Sequence, residues 1–295
     1  ISYAYSIAED LQNVDYVKCG LDNQTKQEHI QQLKSLVAYF YLRGLDYFGG
    51  MPIYKGYSLT EVPRSSAKET FDFIEETLKN AIPTLKPYKK GTAHDGFISQ
   101  GAAAMMLAQL YFNAVSYIGE DRFADCAEIC QDIIDKKYGE YELARTWDEP
   151  FGFDNDLCAE NIWVAPSENS QYTCSWYYQQ SSPYNISEYY DINALLTFNG
   201  VCLQPSLRPD GSSYSFVLGR PLQKFHEKDI RKKPYLYHGK KKFEGMFLMG
   251  ALVNPVTGKA CTGSYDYADE VIELVDQIAP FKQLGKIYVD VSQLP

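Results

Sequence analysis

Apolar residues in the first 136 positions of this 295-residue chain recur every three or four residues. That spacing turns one face of a helix inward and leaves little room for strands. Residues 1–16 carry Tyr3, Ile7, Leu11 and Val14 at helical intervals. Residues 25–48 carry a wider stripe of Ile30, Leu33, Val37, Phe40, Tyr41 and Leu45. Gly49-Gly50 ends that helix, and Pro52 forbids its continuation. A loop follows, closed by Pro63. Ser66 with Glu69 three residues on is a capping box, and it opens a helix to about residue 85 with Phe71, Ile74, Leu78 and Ile82 inward.

Ser99 is the N-cap expected for a helix over 100–117, rich in alanine at positions 102, 103, 104 and 108. A partner helix can approach such a face closely. Gly119 breaks it, and residues 122–136 form the next helix, with Phe123, Ala127, Cys130 and Ile134 on one face. Paired helices with short turns and small residues between them predict a mostly α fold of tetratricopeptide-like hairpins, an α/α superhelix, without a clean repeat period.

After Tyr138 the pattern changes. Residues 160–166 (ENIWVAP) read as a short strand, 222–230 and 267–278 as short helices, and 240–253 as strand-like pieces. The stretch 167–223 is a long irregular segment, which in a compact protein is usually functional. The expected division is a helical region over 1–140 and a loop-rich, ligand-binding region over 141–295, packed as one domain.

Composition narrows the function. Asp+Glu 38 against Lys+Arg 28 gives a net charge of −10, unsuited to the counterion displacement that nucleic-acid binding requires. No run approaches the roughly 18 apolar residues of a membrane-spanning helix. There is no Gly-rich phosphate loop, no nucleophile elbow and no H-E-x-x-H pair. His29, His94, His226 and His238 read as surface or capping residues. Nothing selects a glycosidase pair among the 38 carboxylates. Cys126 and Cys130, one helical turn apart, are two ligands and so no zinc site; they read as buried or half-buried thiols. The run Arg231-Lys232-Lys233, set among Glu227, Asp229 and Glu244, reads as a solvated face. No cofactor, metal or catalytic residue is expected.

The unusual count is Tyr 25, with Phe 15 and Trp 3. Residues 171–190 (QYTCSWYYQQSSPYNISEYY) concentrate these rings among amides and hydroxyls. Rings that stack on sugar C–H faces, beside amides that read hydroxyls, suit carbohydrate recognition. A loop packing its own aromatics fits the same residues.

The order of segments resembles a family. The run AYFYLRGLDYFGGMPIY (38–54) resembles the SusD/RagB signature of an aromatic helix with Arg, followed by an aromatic, Gly-Gly, one residue and Pro. VPRSSAKETFDFIEETLKNAIPTL (62–85), ISQGAAAMMLAQLYFNA (98–114), YEL (141–143) with ENIWVAP (160–166), and LQKFHEKDIRKK (222–233) resemble its later blocks in order. The resemblance implies a non-enzymatic surface lipoprotein of the Bacteroidetes outer membrane, active in polysaccharide utilization. Such proteins bind oligosaccharide and act as a lid on a SusC-like TonB-dependent transporter. Here Cys19 follows Tyr16-Val17-Lys18, which is not a lipobox, so the N-terminal lipid anchor is expected outside this sequence. The family's C-terminal helical region is also missing, so the chain is expected to be a fragment. The family's stacking aromatics come from loops that here span 167–221, which implicates Trp176, Tyr177, Tyr178 and Tyr184, then Tyr172 and Tyr214. The rival functions are a helical-repeat scaffold that binds only protein and a glycoside hydrolase.

Overall fold

A computed structural model describes residues 1–57, 60–152, 154–166, 186–190, 212, 224–233, 236–239, 242–248, 250–263, 268–275 and 288–290. The chain divides into two compact units, Ile1–Pro166 and Ser167–Pro295.

The first unit is built from helices: α1 (Ser2–Asn13), α2 (Asn23–Phe48), α3 (Ala67–Ala81), α4 (Gln100–Phe112), α5 (Ala114–Ile118) and α6 (Phe123–Ile134). The starts of α2, α3 and α4 are set by side chains that satisfy the orphan N–H groups of a first turn. Asp22 accepts from the Thr25 amide at 2.7 Å. Ser66 and Glu69 form the expected reciprocal capping box. Ser99 accepts from the Ala102 amide at 3.1 Å. The stop after α2 is also as expected. Gly49 sits at φ +72°, and a Cβ on Gly50 would lie 2.0 Å from the Ser65 carbonyl oxygen, so both positions demand glycine.

α2 pairs with α3 and α4 with α6 as tetratricopeptide-like hairpins, and α3 packs on α4 and α5. The core holds Val37, Tyr41 and Leu45 of α2, Phe71, Ile74 and Leu78 of α3, and Leu107 and Leu110 of α4. Each such buried side chain contributes about 1.5–3 kcal/mol. The start of α4 is held by Gln32 of α2. Its amide nitrogen donates to the Ile98 carbonyl at 2.8 Å, and its oxygen accepts from the Ile98 amide at 2.6 Å. A smaller cluster joins Ala104, Ile133, Tyr88 and Tyr141, the two rings stacked at 5.0 Å.

Several expected faces are corrected. In α1 the buried residues are Ala4 and Ala8, while Tyr3, Ile7 and Val14 are exposed. In α6 Ile133 is buried, with Cys126 and Ile129 half-buried against the core, while Phe123, Ala127 and Ile134 face outward. In α1 the seam is lined by alanine, and in α6 it is lined by Cys126, Ile129 and Ile133, one turn apart on a different face from the one expected. Phe40 is exposed as well. The expected helix over 100–117 breaks at Asn113 into α4 and α5. Residues 160–166 form no strand; their side chains are used instead, with the Trp163 indole donating to the Gly96 carbonyl at 3.0 Å and Glu160 accepting from the Ala144 amide at 2.7 Å.

In the second unit α7 (Ile186–Tyr190) is accompanied by β1 (Leu236–Gly239), β2 (Lys242–Glu244), β3 (Gly250–Ala251), β4 (Glu273–Val275) and β5 (Tyr288–Asp290). β1 and β2 are antiparallel; β3 runs antiparallel to β4, which is parallel to β5. Ile186, Tyr189, Leu248, Leu252, Cys261, Ile272 and Leu274 form its core. Within the helix expected over 267–278, β4 stands at Glu273–Val275, while 267 and 276–278 lie outside the described residues. Val271 is exposed, Ile272 buried and Leu274 buried, which is the period of two of a half-buried strand. Of the helix expected over 222–230, Lys224 is helical, 225–229 are not, and Ile230–Lys232 is a 3-10 turn, while 222 and 223 lie outside the described residues.

Candidate functional site

The six aromatics expected to bind sugar, Trp176, Tyr177, Tyr178, Tyr184, Tyr172 and Tyr214, lie outside the described residues. The end of their stretch is described. Tyr189 is buried in the second unit's core and meets the half-buried Tyr190 edge to face at 5.1 Å. These two rings are packing residues. α7 is tied down on two further sides. The buried Asn254 donates to the Tyr189 carbonyl at 2.6 Å, and its oxygen accepts from the Val256 and Thr257 amides. Glu188 accepts from the Thr262 amide at 2.8 Å. Cys261, beside them, has its thiol pushed up to about 12 by burial, which leaves it protonated and unreactive.

In the first unit, Trp163 lies against Tyr39 at 5.0 Å, and Tyr39 lies against the exposed Phe40 at 5.5 Å. Gly96, whose carbonyl holds the indole, sits under Pro166 with φ +88°. Trp163 therefore packs where the chain enters the aromatic stretch.

A second group of rings escaped the sequence reading. Tyr47 and Phe48, the last residues of α2, are each 68% exposed. Arg43 donates to the Tyr47 hydroxyl at 3.0 Å, its guanidinium carbon 5.3 Å from the ring centroid, and pairs with Asp46 at 3.6 Å. Tyr117 of α5 donates to Asp46 at 3.0 Å. Burial, then this carboxylate, pushes the Tyr117 hydroxyl up to about 12, so it remains a donor at all ordinary pH values. Arg64 donates to the Phe48 and Gly50 carbonyls and fixes the turn. The signal was available: two rings directly before Gly-Gly extend past the inward stripe.

Several polar side chains singled out in the sequence have structural partners, whereas the side chain of His238 lies outside those described. His29 bonds the Tyr16 hydroxyl at 2.9 Å, and His94 stacks on Tyr88 at 4.6 Å and bonds the Cys158 carbonyl. His226 accepts from the Lys228 amide. Cys126 and Cys130 are both half-buried, and burial, then Cys130, raises the Cys126 thiol. Arg231 forks onto Asp229, and Lys232 pairs with Glu227. Among the described residues no three metal-ligating side chains come together, and no helix is long and apolar enough to cross a membrane.

No protein-family model and no curated protein matches the chain. Solved structures do. Surface glycan-binding protein A from Bacteroides uniformis superposes with a TM-score of 0.55 at 16% identity, over 81% of this chain and 48% of that one. A SusD-like protein from Bacteroides fragilis matches 58% of this chain and 33% of its own, with TM-score 0.47 and 22% identity. A SusD superfamily protein from Bacteroides vulgatus matches 55% and 33%, with TM-score 0.44 and 17% identity. The chain spans about half the length of the Bacteroides uniformis protein. The last two structures carry in their names the family that residues 38–54 and the blocks after them resemble.

Proposed function

We propose that this protein binds oligosaccharide or polysaccharide at the cell surface, without acting on it chemically. The observation that carries the proposal is the fold shared over 81% of the chain with a protein whose name is surface glycan-binding protein A. The dense mixture of rings and amides over 171–190 supports it, because that composition suits sugar faces and hydroxyls together. In the finer form of the proposal, the 141–295 region carries the glycan on Trp176, Tyr177, Tyr178 and Tyr184, with Tyr172 and Tyr214 beside them. The protein is lipid-anchored in the outer membrane and hands its ligand to a SusC-like TonB-dependent transporter. Native gels cast with soluble starch, xyloglucan, galactomannan or laminarin test the binding. Retarded migration in one of them is expected, and unretarded migration in all four counts against it.

A second reading, a helical scaffold that binds only protein, is favoured by one observation. Phe112, Phe123 and Ile134 face outward on α4 and α6, the two rings edge to face at 5.9 Å. Under that reading the same gels show no retardation.

A further inference from the structure

We infer that the C-terminal end of α2 carries a glycan subsite of its own, formed by Arg43, Asp46 and Tyr47, for a neutral sugar. The inference rests on the glycan-binding reading above and adds residues of the first unit to those proposed in 167–221.

A single exposed ring needs no explanation. Tyr47 differs because it is both exposed and held. It is 68% exposed, yet its hydroxyl accepts from Arg43 and its ring carries the guanidinium 5.3 Å from its centroid. Arg43 is in turn paired with Asp46, and Asp46 is held by the Tyr117 hydroxyl from α5. The ring's freedom is therefore restricted before any ligand arrives, which lowers the entropic cost of stacking on it.

The chemistry beside the ring selects the occupant. A guanidinium donor and a carboxylate acceptor stand 3.6 Å apart, both about half exposed. Adjacent sugar hydroxyls match such a pair: one accepts from Arg43 while the next donates to Asp46. The sugar's C–H face then lies on Tyr47 and the neighbouring exposed Phe48. The pair has no net charge, so a polyanion or a basic peptide would meet repulsion from one member. An apolar partner would have to desolvate both ions without hydrogen bonds in return. A neutral polyol is the class that satisfies ring, donor and acceptor together.

The test uses the full chain in the four polysaccharide gels, as wild type, Tyr47→Ala, Tyr47→Phe and Asp46→Asn. In the polysaccharide that retards the wild type most, Tyr47→Ala is expected to weaken binding about tenfold. Tyr47→Phe keeps the ring and stays within about threefold, and Asp46→Asn loses about threefold with the ring in place. Melting temperatures should hold for all three, since the ring is exposed. If the wild type is retarded and Tyr47→Ala is retarded equally, the subsite is overturned and the glycan reading stands. If Tyr47→Ala melts early, Asp46→Asn decides, and its unchanged retardation overturns the subsite. A wild type retarded in no gel removes the reading and the subsite together.

Discussion

Arg122, at the head of α6, donates to the Glu75 carboxylate on α3 at 3.0 Å, and that ion pair locks the two helical hairpins together. The same oxygen of Glu75 accepts from the Tyr111 hydroxyl at 2.8 Å and meets Lys79 at 2.6 Å. Arg122 also lies over the Tyr111 ring at 4.4 Å and reaches Asp125 at 2.5 Å. Burial alone would raise Glu75, but the hydrogen bonds from Arg122, Lys79 and Tyr111 outweigh it and hold the group at about 2.

That balance sets an acid limit on stability. A carboxylate held at about 2 when folded, against an ordinary 4.5, binds fewer protons folded than unfolded. Its contribution is complete above pH 4.5 and is lost as the pH falls toward 2. Glu142, drawn down to about 2 by Lys136 and then Lys90, adds to the same limb. Glu75→Gln should cost about 1–3 kcal/mol at neutral pH by removing the charge from three donors. It should also shallow the loss of stability between pH 4.5 and 2 without abolishing it. Urea melts of both proteins at pH 7, 4 and 3 measure this. Parallel acid limbs would show that Glu75 is not the titrating group.

Gln32 is the second polar clamp. It occupies both backbone groups of Ile98, a residue only 3% exposed. Gln32→Ala leaves a buried N–H and C=O without that partner, at a cost of about 1–3 kcal/mol. Gln32→Glu keeps the acceptor but loses the donor, and should fall between. Thermal melts should order the three as wild type, Glu, Ala. Equal melting of wild type and Gln32→Ala would contradict the clamp.

Ala104 tests the packing of α4 on α6. It is fully buried in the cluster with Tyr88, Ile133 and Tyr141. Tyr141 cannot swing freely, because its hydroxyl is bonded to Ser99 at 2.7 Å. Ala104→Leu should therefore overpack the seam at a cost of about 1–3 kcal/mol. A calorimetric melting temperature at or above that of the wild type would show that the seam can yield.

What the sequence revealed of the fold lies in its local chemistry. Ser66 with Glu69, Ser99, and Gly49-Gly50 act on their own backbone, so starts and stops could be read without knowing the neighbours. Faces were harder. Tyr3, Ile7, Phe123 and Ile134 are large apolar residues yet point outward. Ala4 and Ala8 point inward in α1, and Cys126, Ile129 and Ile133 in α6, faces that the apolar residues alone did not single out. Which face meets the next helix is a tertiary property, and it decided between them. The run VIELV at 271–275 is too short for its period to be distinguished alone, and its partners in β3 and β5 made it a strand. The Tyr47 platform stayed hidden because its meaning depends on exposure and on Tyr117, 70 positions away in sequence. The aromatic stretch itself was plain in composition, and two of its rings, Tyr189 and Tyr190, serve packing.

Trp176 bears most directly on the central claim. It is the one tryptophan within the ring-and-amide stretch, whereas Trp163 is committed to packing through Gly96 and Tyr39. An aromatic anchor in a binding site commonly carries 2 kcal/mol or more, roughly 30-fold in affinity. The deciding measurement is isothermal titration of wild type and Trp176→Ala with the polysaccharide that retards the wild type in native gels. The expected result is a loss of about 30-fold in affinity with an unchanged melting temperature. Equal affinity in the two proteins, or a variant that unfolds, would contradict the claim that this stretch is the glycan-binding surface.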